Sequence, residues 1–254
     1  MRLCVVIPHR RRRDLLGRAL AAVEGWPVVV VDDTDEGLGA LPGAAVVRLG
    51  GGQGFAKAAN RGLAAAQAAG FTHALLLNDD AAPASGCVEA LQAAWGPNVG
   101  AVGPVLVDPS GRVESAGMRF SARTGRLRQR TSVPDDVTPV DALSGACLLL
   151  DSGVRFHEGF RHGMEDVALC RDLDEQGLSV LLVPWARCAH LGGATVSRRG
   201  RAATRHALAG HLRLVGDAPL KRGLVVGYAL AQILREGGPV ERLAGVWEGW
   251  RDVS

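Results

Sequence analysis

The sequence predicts an α/β protein with a mostly parallel central sheet flanked by helices. Short apolar runs rich in Val, Ile and Leu alternate with longer segments of helical periodicity in the first half of the chain, which is typical of parallel sheets. Two apolar runs end in acidic pairs, Asp32-Asp33 and Asp79-Asp80. Ligands of open parallel sheets bind beyond the carboxyl ends of the strands, so these acids mark a candidate site at one sheet edge.

The individual elements follow from the same patterns. Strands are expected at residues 3–8, 28–32, 45–49, 72–77 and 101–107, and helices at residues 11–24, 55–69 and 85–95. Between residues 108 and 140, Gly, Ser, Arg and Thr separate short extended pieces, which predicts a small antiparallel excursion of the same domain. A strand over 142–150, a helix over 164–176, a strand over 179–183 and C-terminal helices from residue 201, with breaks near Pro219 and near 237–239, complete the prediction.

Composition excludes several classes of protein. With 254 residues, 47% hydrophobic and 22% charged, the chain is long and apolar enough for one substantial folded domain. The net charge of +3 gives no electrostatic reason to expect nucleic acid as a partner. The five cysteines include no C-x-x-C pair, which argues against a zinc ribbon or a disulfide framework, and their odd number favours a reducing, cytoplasmic location.

No membrane-spanning segment or signal peptide is expected. The longest late apolar run covers residues 223–234, about 12 residues, whereas a spanning helix needs roughly 20. Lys221, Arg222 and Arg235 flank this run, which is compatible with a helix lying on a membrane surface. A helix packed on the domain is the favoured interpretation.

Four consecutive arginines, Arg10 to Arg13, follow the first strand. They could bind nucleic acid, form the charged surface of a helix, or contact a diphosphate, whose oxygens suit the guanidinium fork. No aromatic platform accompanies them, which disfavours nucleic acid. We expect surface charge for most of the run, with Arg10 as the candidate for a substrate contact.

Each acidic pair has a functional and a structural interpretation. Asp79 and Asp80 repel each other unless a cation lies nearby, and oxygen ligands of this kind suit Mg²⁺; alternatively, they complement the dipole of the next helix. Asp32 and Asp33 could accept hydrogen bonds from a nucleotide base or ribose, or form a polar turn.

Three further segments carry candidate residues. The loop that ends at Gly54 lacks the P-loop sequence, so simple flexibility is favoured over phosphate binding, whereas Asn60 on the next helix could face a nucleotide. Glu165 and Asp166 begin a helix, where a carboxylate could act as a general base or complement the helix dipole. His190 is a ligand candidate only if other ligands converge on it.

The order of these segments resembles the family 2 glycosyltransferases, inverting enzymes of the GT-A fold, over residues 3–197, and within them the bacterial rhamnosyltransferase-like subgroup. The resemblance rests on Val5-Val6-Ile7-Pro8, Val29-Val30-Val31-Asp32-Asp33, Gly54-Phe55-Ala56 through Asn60-Arg61-Gly62, Leu75-Leu76-Leu77-Asn78-Asp79-Asp80, Gly163 to Arg171, and His190-Leu191-Gly192-Gly193. The sequence departs from the family at His9-Arg10, where relatives often carry Thr or Ser, an aromatic residue and Asn.

The resemblance implies a role for each candidate residue. Asp80, which matches the final acid of the family's D-x-D motif, would bind Mn²⁺ or Mg²⁺, and His190 would complete the metal site. Asp166 would be the catalytic base, with Glu165 beside it. The resemblance implies a donor site with Pro8, Asp32 or Asp33, Asn60 and Asn78. Arg10, Gly54 and Asp79 are further candidates for the same site from their places in the sequence.

The resemblance also implies a reaction and a division of the chain. A hexosyl or deoxyhexosyl group would pass from a nucleoside-diphosphate sugar, with UDP or dTDP favoured, to a hydroxyl of a carbohydrate, lipid-linked or natural-product acceptor. The catalytic domain would cover residues 1–200, with the nucleotide-sugar part at about 1–107 and the acceptor side at about 108–200. A helical extension would cover 201–254.

Two alternatives come from other classes. A sugar nucleotidyltransferase needs a glycine-rich loop with a basic residue directly after the first strand, where this chain has Pro8-His9-Arg10. A catalytically degenerate nucleotide-sugar-binding module would not need to retain Asp80, Asp166 and His190.

Overall fold

The computed structural model describes residues 1–160, 163–191, 200–236 and 240–253. The Gly192-Gly193 match and the helix break expected near 237–239 lie outside these residues. The helices are α1 (Arg13–Ala22), α2 (Phe55–Ala68), α3 (Cys87–Ala93), α4 (Glu165–Glu175), α5 (Arg201–Val215), α6 (Pro219–Arg235) and α7 (Val240–Arg251). The strands are β1 (Leu3–His9), β2 (Val28–Asp32), β3 (Ala44–Arg48), β4 (His73–Leu77), β5 (Ala81–Pro83), β6 (Val99–Val107), β7 (Val113–Ser115), β8 (Met118–Phe120), β9 (Leu127–Gln129), β10 (Thr138–Pro139), β11 (Cys147–Asp151) and β12 (Ser179–His190).

Ten strands form one sheet in the order β10-β12-β6-β11-β4-β1-β2-β3, with β5 beside β12 and β7 beside β6. The strands β4, β1, β2 and β3 run parallel to one another, and β12 runs parallel to β6. β11 lies antiparallel between β4 and β6. The α/β fold class expected from the sequence, with its mostly parallel sheet, small antiparallel excursion and C-terminal helices, is confirmed.

Alternation along the central strands divides the core into two layers. Val5 and Ile7 of β1 pack on one face of the sheet with Leu16 of α1 and Leu91 of α3. The intervening residue, Val6, packs on the other face with α2 and α4. Because helices cover both faces of the sheet, the central strands are continuous apolar runs in the sequence, as expected for buried parallel strands.

Strand β12 is longer than the sequence pattern predicts. The prediction ended at residue 183 because Pro184 follows, and proline cannot donate a hydrogen bond to the sheet. In the structure, β12 shifts its register on β6 between Val183 and Arg187 and then continues to His190. This continuation, together with the unpredicted strand β5, carries His190 to the edge of the sheet where β4 ends.

The helices α5, α6 and α7 pack around a cluster of their own. Its buried members include Leu208 and Leu212 of α5, Val225 and Ile233 of α6, and Val246 of α7. Gly245 lets α7 approach α5 closely, because a Cβ there would lie 2.4 Å from the carbonyl oxygen of Arg201. None of the described helices combines the length and apolar character needed to cross a membrane.

The contact between α2 and the sheet yields a stability prediction. A Cβ added at Gly62 would lie 2.2 Å from Cγ1 of Val6 and 2.9 Å from Cγ2 of Val31, both fully buried. We expect Gly62→Ala to lower the free energy of unfolding by about 1–3 kcal/mol through overpacking. Urea denaturation measures this change.

Gly17→Ala is the matched control, because Gly17 also lies within a helix and a Cβ there meets nothing within 4 Å. The control should be neutral or stabilising by up to about 1 kcal/mol. Equal free energies of unfolding for Gly62→Ala and the wild type would contradict the close approach of α2 to β1.

Candidate active site

A cavity of about 440 Å³ opens at the carboxyl ends of β1, β2 and β4. Its wall also includes the first turn of α4, the end of β12 and one side of α5. Ten of the twelve residues predicted from the sequence line it: Pro8, Arg10, Asp33, Gly54, Asn78, Asp79, Asp80, Glu165, Asp166 and His190. Asp32 and Asn60 do not line it.

The two acids after β2 have different environments. Oδ1 of Asp32 accepts hydrogen bonds from the backbone N–H and the hydroxyl of Thr34, at 3.0 and 2.6 Å. Its Oδ2 accepts from the N–H of Leu38 at 2.7 Å and from Arg48 at 2.8 Å. Burial alone would raise the pKa of Asp32, but these hydrogen bonds together lower it to about 2. Asp32 therefore stabilises the loop after β2.

Asp33 is the acid of this pair that faces the cavity. Its carboxylate accepts hydrogen bonds from the backbone N–H groups of Gln53 at 2.9 Å and Gly54 at 3.3 Å. These bonds hold the loop before α2 against the end of β2. Arg10 donates to the Asp33 carbonyl at 3.0 Å and places its guanidinium 3.7 Å from the Asp33 carboxylate.

The arginine run divides between structure and cavity. Arg10 is a wall residue, whereas Arg12 pairs with the exposed Asp14 and Arg13 donates to the carbonyl of Leu38. This division matches the expectation that most of the run is surface charge.

Asn60 is held by a distant segment of the chain. Its side-chain oxygen accepts the N–H of Phe156 at 2.7 Å, and its side-chain nitrogen donates to the Phe156 carbonyl at 2.9 Å and to Glu158 at 3.1 Å. Both ends of the amide are thus used to tie the segment before α4 to α2. The structure places Asn60 in this contact and outside the cavity.

His9 and Asp79 form a buried pair in the wall of the cavity. His9 Nδ1 lies 2.6 Å from Asp79 Oδ2, and the His9 side chain is fully buried. His9 Nε2 has no hydrogen-bond partner among the described residues. His9 differs from the pattern of the family that the sequence resembles, and its facing acid is not evident from the sequence because the two residues are 70 positions apart.

His190 lies between Asp80 and a further acid, Glu114. Its Nε2 lies 3.4 Å from Asp80 Oδ1, and its Nδ1 lies 3.0 Å from Oε2 of Glu114 on β7. Burial alone would lower the pKa of His190, but Asp80 and Glu114 outweigh it and raise that pKa to about 9. The sequence analysis missed Glu114, which lies in the segment with no recognisable motif.

The residues around Asp80 fit a divalent cation whose coordination is completed by a ligand. A carboxylate and an imidazole with heteroatoms 3.4 Å apart can both reach one ion. Among the described residues, no group of three or more His, Cys, Asp and Glu side chains could form a full metal site from protein alone. Positions on an ion held by Asp80 and His190 would therefore stay open for phosphate oxygens.

Glu165 and Asp166 face the cavity from the start of α4. Gly163 and Met164 both have positive φ angles, 93° and 72°, and this turn brings the acids to the cavity wall. Asp166 accepts hydrogen bonds from the N–H groups of Gly145 at 3.0 Å and Val167 at 2.8 Å. Oε2 of Glu165 is buried with no hydrogen-bond partner among the described residues.

Burial also makes these two acids more basic. It raises the pKa of Glu165 to about 7, and the neighbouring charge of Asp166 acts in the same direction. It raises the pKa of Asp166 as well, against the opposing hydrogen bonds from Gly145 and Val167. A carboxylate with a raised pKa takes up a proton more readily, as a general base must.

The hydrogen bonds of Asp32 predict a pH dependence of stability. Its pKa in the folded protein, about 2, is below the value of about 3.9 in an unfolded chain. The carboxylate therefore stabilises the fold above the unfolded pKa, and this contribution disappears as the pH falls towards 2. We expect Asp32→Asn to cost on the order of 2 kcal/mol at pH 6 and much less at pH 2.5.

Urea denaturation at the two pH values measures the difference between wild type and variant. Asp135→Asn is the control, because Asp135 is exposed and makes no side-chain hydrogen bond or ion pair among the described residues. A cost for Asp32→Asn that is equal at both pH values would contradict the assignment.

Comparisons with known proteins identify the family of the chain. A family model described as "Glycosyl transferase family 2" matches residues 4–143. No curated protein matches the chain significantly. The more specific resemblance to the rhamnosyltransferase-like subgroup stays a prediction.

Several solved structures share the fold at low sequence identity. GalNAc-T7, solved with UDP, GalNAc and Mn²⁺, is 15% identical with a TM-score of 0.59, over 74% of this chain and 43% of that one. The mannosyltransferase PcManGT from Pyrobaculum calidifontis, solved with GDP-Man and Mn²⁺, is 16% identical with a TM-score of 0.55, over 97% and 73%. S. aureus TarS 1-349 is 13% identical with a TM-score of 0.54, over 92% and 71%.

This chain thus spans less than half the length of GalNAc-T7. The family model nevertheless covers more than half of the chain and includes β2 and β4, after which Asp33, Asp79 and Asp80 lie. The protein belongs to glycosyl transferase family 2, a family of sugar-transferring enzymes with the GT-A fold.

Proposed function

We propose that the protein transfers a sugar from a nucleoside-diphosphate sugar to an acceptor hydroxyl, with inversion at the anomeric carbon and with the help of a divalent cation. One observation carries the proposal: a single cavity is lined by the Asp80–His190 pair and by the Glu165-Asp166 pair. Family membership and the nucleotides and nucleotide sugars bound by the similar structures (UDP, GDP-Man and UDP-GlcNAc) support it.

The donor nucleotide would bind at the end of β2. Asp33 offers a carboxylate that the loop before α2 holds in place, and Arg10 offers a guanidinium beside it. Hydrogen-bond donors of a base or ribose suit the acid, and phosphate oxygens suit the arginine. UDP and dTDP are the nucleotides that the sequence resemblance favours.

The donor diphosphate would lie next to Asp80. A bound Mn²⁺ or Mg²⁺ supplies Lewis-acid stabilisation of the charge that develops on the leaving phosphate. Asp80 and His190 would hold the ion, and Glu114 would orient His190. A carboxylate that accepts the Nδ1 proton of a histidine leaves Nε2 free to bind a metal and fixes the direction of the ring.

The acceptor would be activated by Asp166. As the acceptor oxygen forms its bond to the anomeric carbon, the proton of that hydroxyl passes to the Asp166 carboxylate, and the bond from the anomeric carbon to the phosphate oxygen breaks. A single displacement of this kind inverts the anomeric carbon. The hydrogen bonds from Gly145 and Val167 aim the carboxylate, and burial strengthens it as a base.

The role of Asp166 predicts a specific kinetic defect. We expect Asp166→Asn to lower kcat by about 10²–10⁴-fold, because the amide cannot take the proton, while the affinity for the donor nucleotide is retained. Turnover of the nucleotide sugar and nucleotide binding are measured on the same preparation.

Asp174→Asn is the matched control, since Asp174 lies on the same helix with its side chain exposed. The control should retain wild-type kcat. Near-normal kcat in Asp166→Asn would rule out Asp166 as the base.

The contact between Glu114 and His190 predicts a defect in metal binding. We expect Glu114→Gln to weaken Mn²⁺ binding by about 10–100-fold, the usual effect of removing the partner of a metal-bound histidine. Calorimetric titration of Mn²⁺ in the presence of nucleoside diphosphate measures the dissociation constant.

Glu89→Gln serves as the control, because Glu89 is an exposed acid on α3 whose side chain makes no hydrogen bond or ion pair in the described part of the chain. If both variants bind Mn²⁺ as tightly as the wild type does, Glu114 does not support the metal site.

A further inference from the structure

Helix α6 is apolar on both of its sides. On one side, Val225 and Ile233 are buried in the cluster shared with α5 and α7. On the other side, Leu220 is 74% exposed and Leu234 is 76% exposed. The exposed positions between these two leucines on the same side are small residues, Gly223, Gly227 and Ala231. Apolar helix sides are normally buried against other parts of a protein, whereas no described residue buries the two leucines on the outer side of α6.

Helix α7 continues this pattern beyond residue 239. Val240 is 79% exposed, Leu243 is 40% exposed and Trp247 is 64% exposed. Their spacing of three and four residues puts them on one side of α7. The opposite side, which includes Gly245 and Gly249, packs closely on α5. We call the outward-facing residues Leu220, Leu234, Val240, Leu243 and Trp247 the outer apolar surface.

The charge around the outer apolar surface is positive. Residues 201–253 contain eight Lys and Arg but five Asp and Glu. Four of these acids form ion pairs within the helices, as Arg222–Asp217, Arg242–Glu236, Arg201–Glu248 and Arg205–Asp252. In the part of the chain that the structure describes, Arg213, Lys221, Arg235 and Arg251 make no ion pair, and Glu241 is the one remaining acid in this region.

We propose that the outer apolar surface docks onto a lipid bilayer that carries anionic headgroups. The exposed leucines and Val240 would enter the boundary between headgroups and acyl chains, where amphipathic helices bury their apolar sides. Trp247 has the amphipathic ring that favours this boundary. Lys221 and Arg235 have side chains long enough to reach the phosphates while their apolar stems stay against the helix.

Charge favours a bilayer over a second copy of this chain as the cover. Two copies that met through this surface would bring Lys221, Arg235 and Arg251 of each copy together, with Glu241 as the one remaining acid on each side. Facing like charges disfavour such a contact, whereas anionic lipids complement it.

Docking through these helices would also hold the cavity near the bilayer. Helix α5 contributes Ala203, His206 and Ala207 to the cavity wall and packs on α7 through the close approaches at Gly245 and Gly249. Helix α5 therefore lines the cavity and packs directly against α7, which carries part of the outer apolar surface.

Flotation of the full chain with lipid vesicles tests the proposal. We expect binding to vesicles that contain phosphatidylglycerol, weaker binding as salt is raised, and much weaker binding to vesicles of phosphatidylcholine alone. Absence of binding to both kinds of vesicle would overturn the proposal. Flotation measures vesicle binding and involves no sugar transfer. Failure of the docking proposal can therefore be distinguished from failure of the proposed reaction.

Two pairs of variants locate the surface. Lys221→Gln/Arg235→Gln should weaken binding to anionic vesicles by roughly 25-fold, since each cation near the surface contributes about fivefold. Arg18→Gln/Arg61→Gln is the control, because both arginines are exposed on the catalytic domain and make no ion pair in the described chain. Trp247→Ala should weaken binding, whereas Trp185→Ala, at a tryptophan of similar exposure on β12, should not.

Two further outcomes would contradict the proposal. Equal losses in the test and control variants would mean that the attraction is not localised at these helices. A dimer in light scattering that dissociates in Trp247→Ala would make a second copy the cover instead. The melting temperature of each variant is measured to check that it is folded. We expect all variants to fold, because every substituted side chain is at least partly exposed.

Discussion

Mutual repulsion among carboxylates is the constraint on which the site depends. The fold brings Asp32, Asp33, Asp79, Asp80, Glu165 and Asp166 to one edge of a parallel sheet, and like charges this close destabilise one another unless each is compensated. Arg48 and neighbouring N–H groups compensate Asp32, and backbone N–H groups compensate Asp33. Imidazole rings face Asp79 and Asp80, a backbone N–H faces Asp166, and burial favours the protonated form of Glu165.

These compensations fall into two kinds with different consequences. At Asp32, every oxygen is saturated by the protein, so the acid stabilises a loop and has no capacity left for a ligand. At Asp80 and Glu165, the compensation is incomplete without a ligand. His190 lies 3.4 Å from Asp80, and Glu165 keeps an oxygen without a described partner. A cation and an acceptor hydroxyl are the groups that complete such environments, which is why the proposed chemistry is assigned to this part of the cavity.

The sequence predicted the fold and half of the residues that line the cavity, because both depend on local patterns. Buried parallel strands are continuous apolar runs, and the acids at their ends must share one edge. It could not separate Asp32 from Asp33, because the choice depends on Arg48 and Leu38, whose positions are set by the loop and by β3. It could not place Asn60, whose partner Phe156 is 96 residues away, or find Glu114, which lies in a segment without periodicity.

A thermal-shift comparison of nucleoside diphosphates, with and without Mn²⁺, tests the central claim that Asp80 anchors a metal-dependent donor site. A ligand at about 100 times its Kd stabilises the native state by about 2.7 kcal/mol, which raises the melting temperature measurably. We expect one of UDP, dTDP, GDP, CDP and ADP to shift the wild type in a Mn²⁺-dependent way, and Asp80→Ala to lose that shift. No shift with any nucleotide, or an undiminished Mn²⁺-dependent shift in Asp80→Ala, would contradict the claim.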